Sequence, residues 1–197
     1  MASEMAPKGL GSAVYLAHMF LSQVLGSGGT GIDATAGNGY DTVFLASLAG
    51  PRGRVFAFDI QPIALQKTRL LLEQHGYAER VQLFQAGHEE MEKFVSGPVD
   101  AVIFNLGYLP GGDHGVTSSA GTTVKAVQAA LNLLRPGGRV SIVVYTGHPG
   151  GEDEYQKLEG MASALDGKRF HVLKINFLNR SQRAPSVIVI EKAGYTP

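Results

Sequence analysis

Gly31-Ile-Asp-Ala-Thr-Ala-Gly-Asn-Gly-Tyr-Asp-Thr42 begins as the end of an apolar strand and breaks into a glycine turn. It re-enters an apolar, helix-spaced segment from Thr42 to Leu48. Strand, glycine turn and helix in that order make a site for a nucleotide cofactor. Gly37 and Gly39 remove side chains where the backbone must come close to a ligand. About twenty residues past Gly39, Asp59 closes the apolar run Arg54-Val-Phe-Ala-Phe-Asp59, where an acid is placed to hold a ribose diol.

Outward from this stretch the pattern alternates. Leu10 to Leu25 carries apolar residues at helical spacing: Leu10, Val14, Ala17, Leu21 and Val24. Strand one runs from about Gly31 to Thr35 and its helix to Ala49. Pro51-Arg-Gly53 is a turn before strand two. Pro62 opens a helix that reaches about His75, where Gly76 stops it. Val81 to Gln85 reads as strand three, His88 to Val95 as a short helix, and Val99 to Asn105 as a buried parallel strand. A glycine-rich loop, Leu106 to Val116, precedes a helix from Thr122 to Leu134. Arg135-Pro-Gly-Gly138 is expected to break that helix before strand five, Arg139 to Tyr145. Glu152 to Leu165 is helical, and Phe170 to Leu178 and Ser186 to Glu191 read as two final strands. The linker Asn179 to Pro185 is too short for a parallel crossover, so the final pair is antiparallel. The expected fold is a single α/β domain over 1–197, a doubly wound, Rossmann-like seven-stranded sheet.

Composition narrows the function. The 197 residues carry zero formal net charge, so no global basic field points to nucleic acid, although a local patch suffices for it. The absence of cysteine removes disulfides, thiolate zinc sites and cysteine nucleophiles. The six histidines suggest no metal site, because none pair at i, i+4 around a glutamate. No apolar run approaches the ~20 residues of a membrane helix. Met1 to Gly9 lacks a signal-peptide core, so a cytoplasmic protein is expected, with a chloroplast or mitochondrion as the alternative if a transit peptide has been removed.

Two later landmarks bear on which cofactor binds: Leu133-Leu-Arg-Pro-Gly-Gly-Arg-Val140 and Asn105-Leu-Gly-Tyr-Leu-Pro110. With the antiparallel finish they resemble the class I S-adenosylmethionine-dependent methyltransferases, with Thr35 in place of the first glycine of the usual motif. The likeness is closer still to the small bacterial and plant rRNA methylase-like proteins. Besides Asp33 to Thr42, it is carried by Asn105 to Asp113, Val144-Tyr-Thr-Gly-His-Pro-Gly-Gly151 and Asn179-Arg-Ser-Gln-Arg-Ala-Pro185. Characterised members methylate the aminomethyl nitrogen of 5-aminomethyl-2-thiouridine at the tRNA wobble position. The resemblance therefore implies S-adenosylmethionine as cofactor, the anticodon region of tRNA as substrate, and membership of the enzymes. It leaves rRNA or a small amine as alternative substrates and a homodimer as a possible assembly.

The resemblance also distributes roles. Asp33 would meet the methionine ammonium, and Ala34, Thr35, Gly37, Asn38 and Gly39 would form the loop beneath methionine and ribose. Asp41 and Thr42 would open the helix, with plain capping as the competing role. Asp59 would bind the ribose hydroxyls, Ile60 and Gln61 would lie along adenine, and Gly87 with His88 would read the adenine amino group. Asn105 would accept the substrate amine N–H, and Tyr108 would stack on the base, although Leu106-Gly107 replaces the usual prolines between them. An aminomethyl group is mostly protonated at neutral pH, so Asp113, His114 and His148 are candidate proton acceptors. Lys8, Arg135, Arg180 and Arg183 are candidate phosphate contacts, with solvated surface charge as the plainer reading. A dehydrogenase fingerprint is disfavoured, because Thr42 stands where its third glycine belongs. A cofactor-binding scaffold without activity is disfavoured by the intact Gly37 turn and Asn105.

Overall fold

Period-two burial along Val99–Leu106 sets the middle of the molecule. Val102, Phe104 and Leu106 enter one core, while Ala101 and Ile103 enter the other. The strand is apolar on both faces because both are covered. The computed structural model describes residues 9–107, 120–147, 150–181 and 184–194. Among these, β1 (Thr30–Asp33), β2 (Arg54–Asp59), β3 (Val81–Gln85), β4 (Val99–Leu106), β5 (Leu134–Val144), β6 (Phe170–Ile175) and β7 (Ser186–Lys192) form one sheet. Its order is β3-β2-β1-β4-β5-β7-β6. The first five strands run parallel, and β7 lies antiparallel between β5 and β6. The order reverses direction between β1 and β4, which opens a crevice at their carboxyl ends.

Helices α1 (Ala13–Ser22), α2 (Tyr40–Ala49) and α3 (Pro62–His75) bury Leu16, Leu21, Leu45 and Leu72 against one face. A 3-10 turn (His88–Lys93), α4 (Ala120–Leu133) and α5 (Gly151–Ser163) bury Met91, Val127, Ala130 and Leu158 against the other. Each buried Leu, Val or Met contributes about 1.5–3 kcal/mol, against ~1 kcal/mol or less for an exposed pair such as Lys157–Asp153. The two apolar layers therefore hold the sheet.

The expected α/β sheet is present, and α3 occupies the expected span, with Gly76 left-handed (φ 69°) at its end. Several bounds differ, three of them instructively. Helix α1 starts at Ala13, because the Ser12 hydroxyl accepts the Tyr15 N–H at 3.2 Å and caps it there. The segment after Gly87 is 3-10 and ends at Lys93. Strand β5 begins at Leu134 rather than Arg139, since Leu134 pairs with Val99 and Arg135 to Gly138 bulge out opposite Asp100. A Cβ on Gly138 would sit 3.0 Å from three backbone carbonyl oxygens, so only glycine fits that bulge comfortably.

Candidate active site at the carboxyl edge of the sheet

The loop after β1 is held from below. Asp33 is fully buried. One of its carboxylate oxygens accepts the Thr35 N–H (3.0 Å) and the other accepts the Thr42 hydroxyl (2.6 Å). Burial, and next the charge of Asp41, push the Asp33 carboxyl up to about 7. Asp33 and Thr42 thus lie beneath the crevice and shape its floor. In this position Asp33 anchors the loop, and Thr42 turns its hydroxyl inward. Ala34, also buried, donates its N–H to the Ile103 carbonyl (2.9 Å).

The glycine turn is tied to its neighbours at both ends. Gly39 adopts φ 88°, and a Cβ there would come within 2.8 Å of the Thr68 Cα, so α2 and α3 can approach only across a glycine. The Thr68 hydroxyl donates to the Gly37 carbonyl (3.2 Å). The Gly37 N–H donates to Asp59 Oδ2 (3.0 Å), and the Gln61 N–H to Asp59 Oδ1 (2.9 Å). A carboxylate offers about four lone-pair positions, so two remain for a diol. Ile60, next in sequence, leaves half of its apolar surface (50%) in solvent beside that carboxylate. Half-buried Gly37 and Asn38 complete this rim. An acid with spare acceptor positions beside an open aliphatic face fits a ribose and its base.

His88 lies at the far side but turns inward. Its ring packs edge-on against Phe104, with centroids 5.8 Å apart, and hydrogen-bonds the Ala34 backbone. Burial pushes its pKa down.

Asn105 ends β4 at the crevice. Its backbone N–H donates to Thr35 Oγ1 (2.8 Å), and its side-chain Nδ2 donates to Asp41 Oδ2 (3.1 Å). The other oxygen of Asp41 lies 2.6 Å from His18 Nε2. His18 lies flat on Phe44, with centroids 3.6 Å apart and planes 2° from parallel. Tyr145 follows β5 and donates its N–H to the Leu106 carbonyl (3.3 Å). Burial, and next Asp41, raise its phenol pKa. The sequence reading assigned no role to His18 or Tyr145. The available signal for His18 was a polar residue on the apolar face of α1, four after Val14 and three before Leu21.

Tyr108, Asp113, His114, His148, Lys8 and Arg183 lie outside the described residues. Arg135 lies away from the crevice. At the amino end of the sheet it is engaged by Asp100 and by the Pro136 and Val24 carbonyls. Arg180 is exposed and stacks over Phe177, its Cζ 4.2 Å from the ring centre. Among the described residues no helix is long and apolar enough to cross a membrane.

Comparison with known proteins gives the same crevice a lineage. A chloroplastic tRNA (mnm(5)s(2)U34)-methyltransferase of Arabidopsis thaliana is 41% identical over 85% of this chain, which spans 65% of that protein's length. The structure of a "putative rRNA-methylase" from Clostridium thermocellum superposes with a TM-score of 0.89 at 40% identity, covering 91% of this chain and 97% of that one. That of a "putative methyltransferase" from Streptococcus mutans, in complex with SAH, gives 0.84 at 42% identity over 91% and 97%. The fold is that of the class I methyltransferases. The model of the family described as "Putative rRNA methylase" matches residues 55–191, and the chain belongs to that family.

Proposed function

We propose that the protein methylates the aminomethyl nitrogen of 5-aminomethyl-2-thiouridine at the tRNA wobble position, using S-adenosylmethionine. The observation that carries this reading is Asn105. Its Nδ2 is committed to Asp41, which turns the amide oxygen to the other side as an acceptor for an amine N–H. The Arabidopsis relative's tRNA substrate and the SAH-bound Streptococcus structure support it.

When bound, S-adenosylmethionine supplies an electrophilic methyl carbon on a sulfonium. The chain's own contribution is placement. Asp59 and the Gly37 turn hold the nucleoside end, while Asn105 orients the nitrogen lone pair, so catalysis rests on alignment. The aminomethyl group must shed a proton first, and Asp113, His114 and His148 stay the candidates for that task. Exposed Arg180, beyond β6 at the same end of the sheet, supports contact with the phosphates of an anticodon arm. A homodimer belongs to the same proposal, as does a cytoplasmic location, with an organelle as the alternative after the chloroplastic relative.

The test is incubation with labelled S-adenosylmethionine and tRNA lacking the final methyl, followed by nucleoside analysis. Label in the methylaminomethyl nucleoside is the expected result. Label confined to rRNA or to small amines overturns the substrate, and no transfer to any amine overturns the activity.

A further inference from the structure

An asparagine amide has two ends of nearly equal shape. Rotated by half a turn, Asn105 would offer an NH2 group to an incoming amine N–H, donor against donor. Something must choose between the two states. Asp41 is 6% exposed, and as a carboxylate it can only accept, so it tolerates Nδ2 and repels Oδ1. Two features suit Asp41 to that acceptor role. It sits in the first turn of α2, where the helix dipole favours negative charge. Its second oxygen lies 2.6 Å from His18 Nε2, which serves as the donor there. His18, 7% exposed and stacked on Phe44, cannot swing its ring away without breaking that stack.

We propose that His18 and Asp41 are positioning residues that lock the Asn105 amide with its carbonyl oxygen toward the substrate amine. The chain runs across three elements, from α1 through α2 to the end of β4, and His18 acts without touching the substrate. The inference rests on the amine-methylating reading above.

The experiment uses the full chain with tRNA and S-adenosylmethionine, beside the Asn105 side-chain amide signal in nitrogen–proton NMR. His18→Phe keeps the stack and removes the donor. It is expected to lower kcat roughly tenfold, the scale of one hydrogen bond to a charged group, with KM for tRNA and affinity for SAH within about twofold. His18→Gln, which restores a donor, is expected to recover most of that loss. In an Asn105→Ala background, His18→Phe is expected to change nothing further. Unchanged kcat in His18→Phe, or losses that multiply with Asn105→Ala, overturns the proposal. If His18→Phe does not fold, isosteric Asp41→Asn decides. It allows both amide states and is expected to shift or split the Asn105 signal, and an unmoved single signal overturns the lock. Because that signal needs no turnover, the lock can stand or fall even if the wild-type protein methylates no tRNA.

Discussion

The hydroxyl of Thr35 accepts the backbone N–H of Asn105 at 2.8 Å, so the glycine loop after β1 is pinned to the end of β4 by a side chain that the usual methyltransferase motif lacks. A glycine at this place could not make the bond. The departure from the motif therefore supplies a tie between the glycine loop and Asn105.

Thr35→Gly is expected to destabilise the fold by roughly 1–2 kcal/mol, from one lost hydrogen bond and added backbone freedom. Thr35→Ser, which keeps the hydroxyl, is expected to stay within about 0.5 kcal/mol of wild type. Urea unfolding measures both. Equal stability in all three proteins would show that the tie contributes nothing.

Asp59→Ala removes the acceptor of two backbone N–H groups and, on the proposed reading, the carboxylate that meets the ribose. Affinity for S-adenosylmethionine in calorimetry is expected to fall about a hundredfold or more, the scale of two charge-assisted hydrogen bonds. Retained affinity would move the nucleoside elsewhere.

Asn105→Ala is expected to leave cofactor affinity within about threefold and to lower kcat roughly a hundredfold, as misplacement of a reacting group does. Single-turnover kinetics with tRNA and bound cofactor separate the two. Full activity would remove Asn105 from the chemistry.

Asp33 gives a pH signature. Its carboxyl is raised from 3.8 to about 7 in the folded protein, so between those values the folded state holds more protons than the unfolded one. Stability contributed by this group is then full below about pH 4 and is lost as pH rises through about 7. Asp33→Asn cannot ionise. Its melting temperature relative to wild type is expected to rise by several degrees between about pH 5 and pH 8, as the wild type loses that contribution. A difference independent of pH in differential scanning fluorimetry would show that Asp33 is not raised.

The fold was legible where local chemistry agrees with the final structure. Pro62 and Gly76 bracket α3 by their own backbone preferences, and the apolar run of β4 announces a strand covered on both faces. The bulge in β5 was hidden, because only the pairing of Leu134 with Val99 across the sheet draws Arg135 to Gly138 into the strand. At the site, the places of Asp59 and Asn105 at the carboxyl ends of β2 and β4 were readable. His18 was not, since its partner lies 23 positions away and the two meet only when α1 packs beside α2. The depth of Asp33 was not readable either. Its position at the end of β1 follows from the chain, while its inward turn depends on Thr42, nine residues later in the first turn of α2.

The late segment Ser186–Lys192 occupies a slot between two ribbons made before it. During synthesis the right flank of the central layer must wait, with β5 lacking a neighbour and β6 unattached, until that segment leaves the ribosome. Val187, Ile188, Val189 and Ile190 then fill the gap like a keystone, burying apolar surface on both sides in one event. A chain interrupted before Ser186 keeps every residue of the nucleoside crevice described above yet exposes a bare sheet margin, the kind that recruits other chains into aggregates.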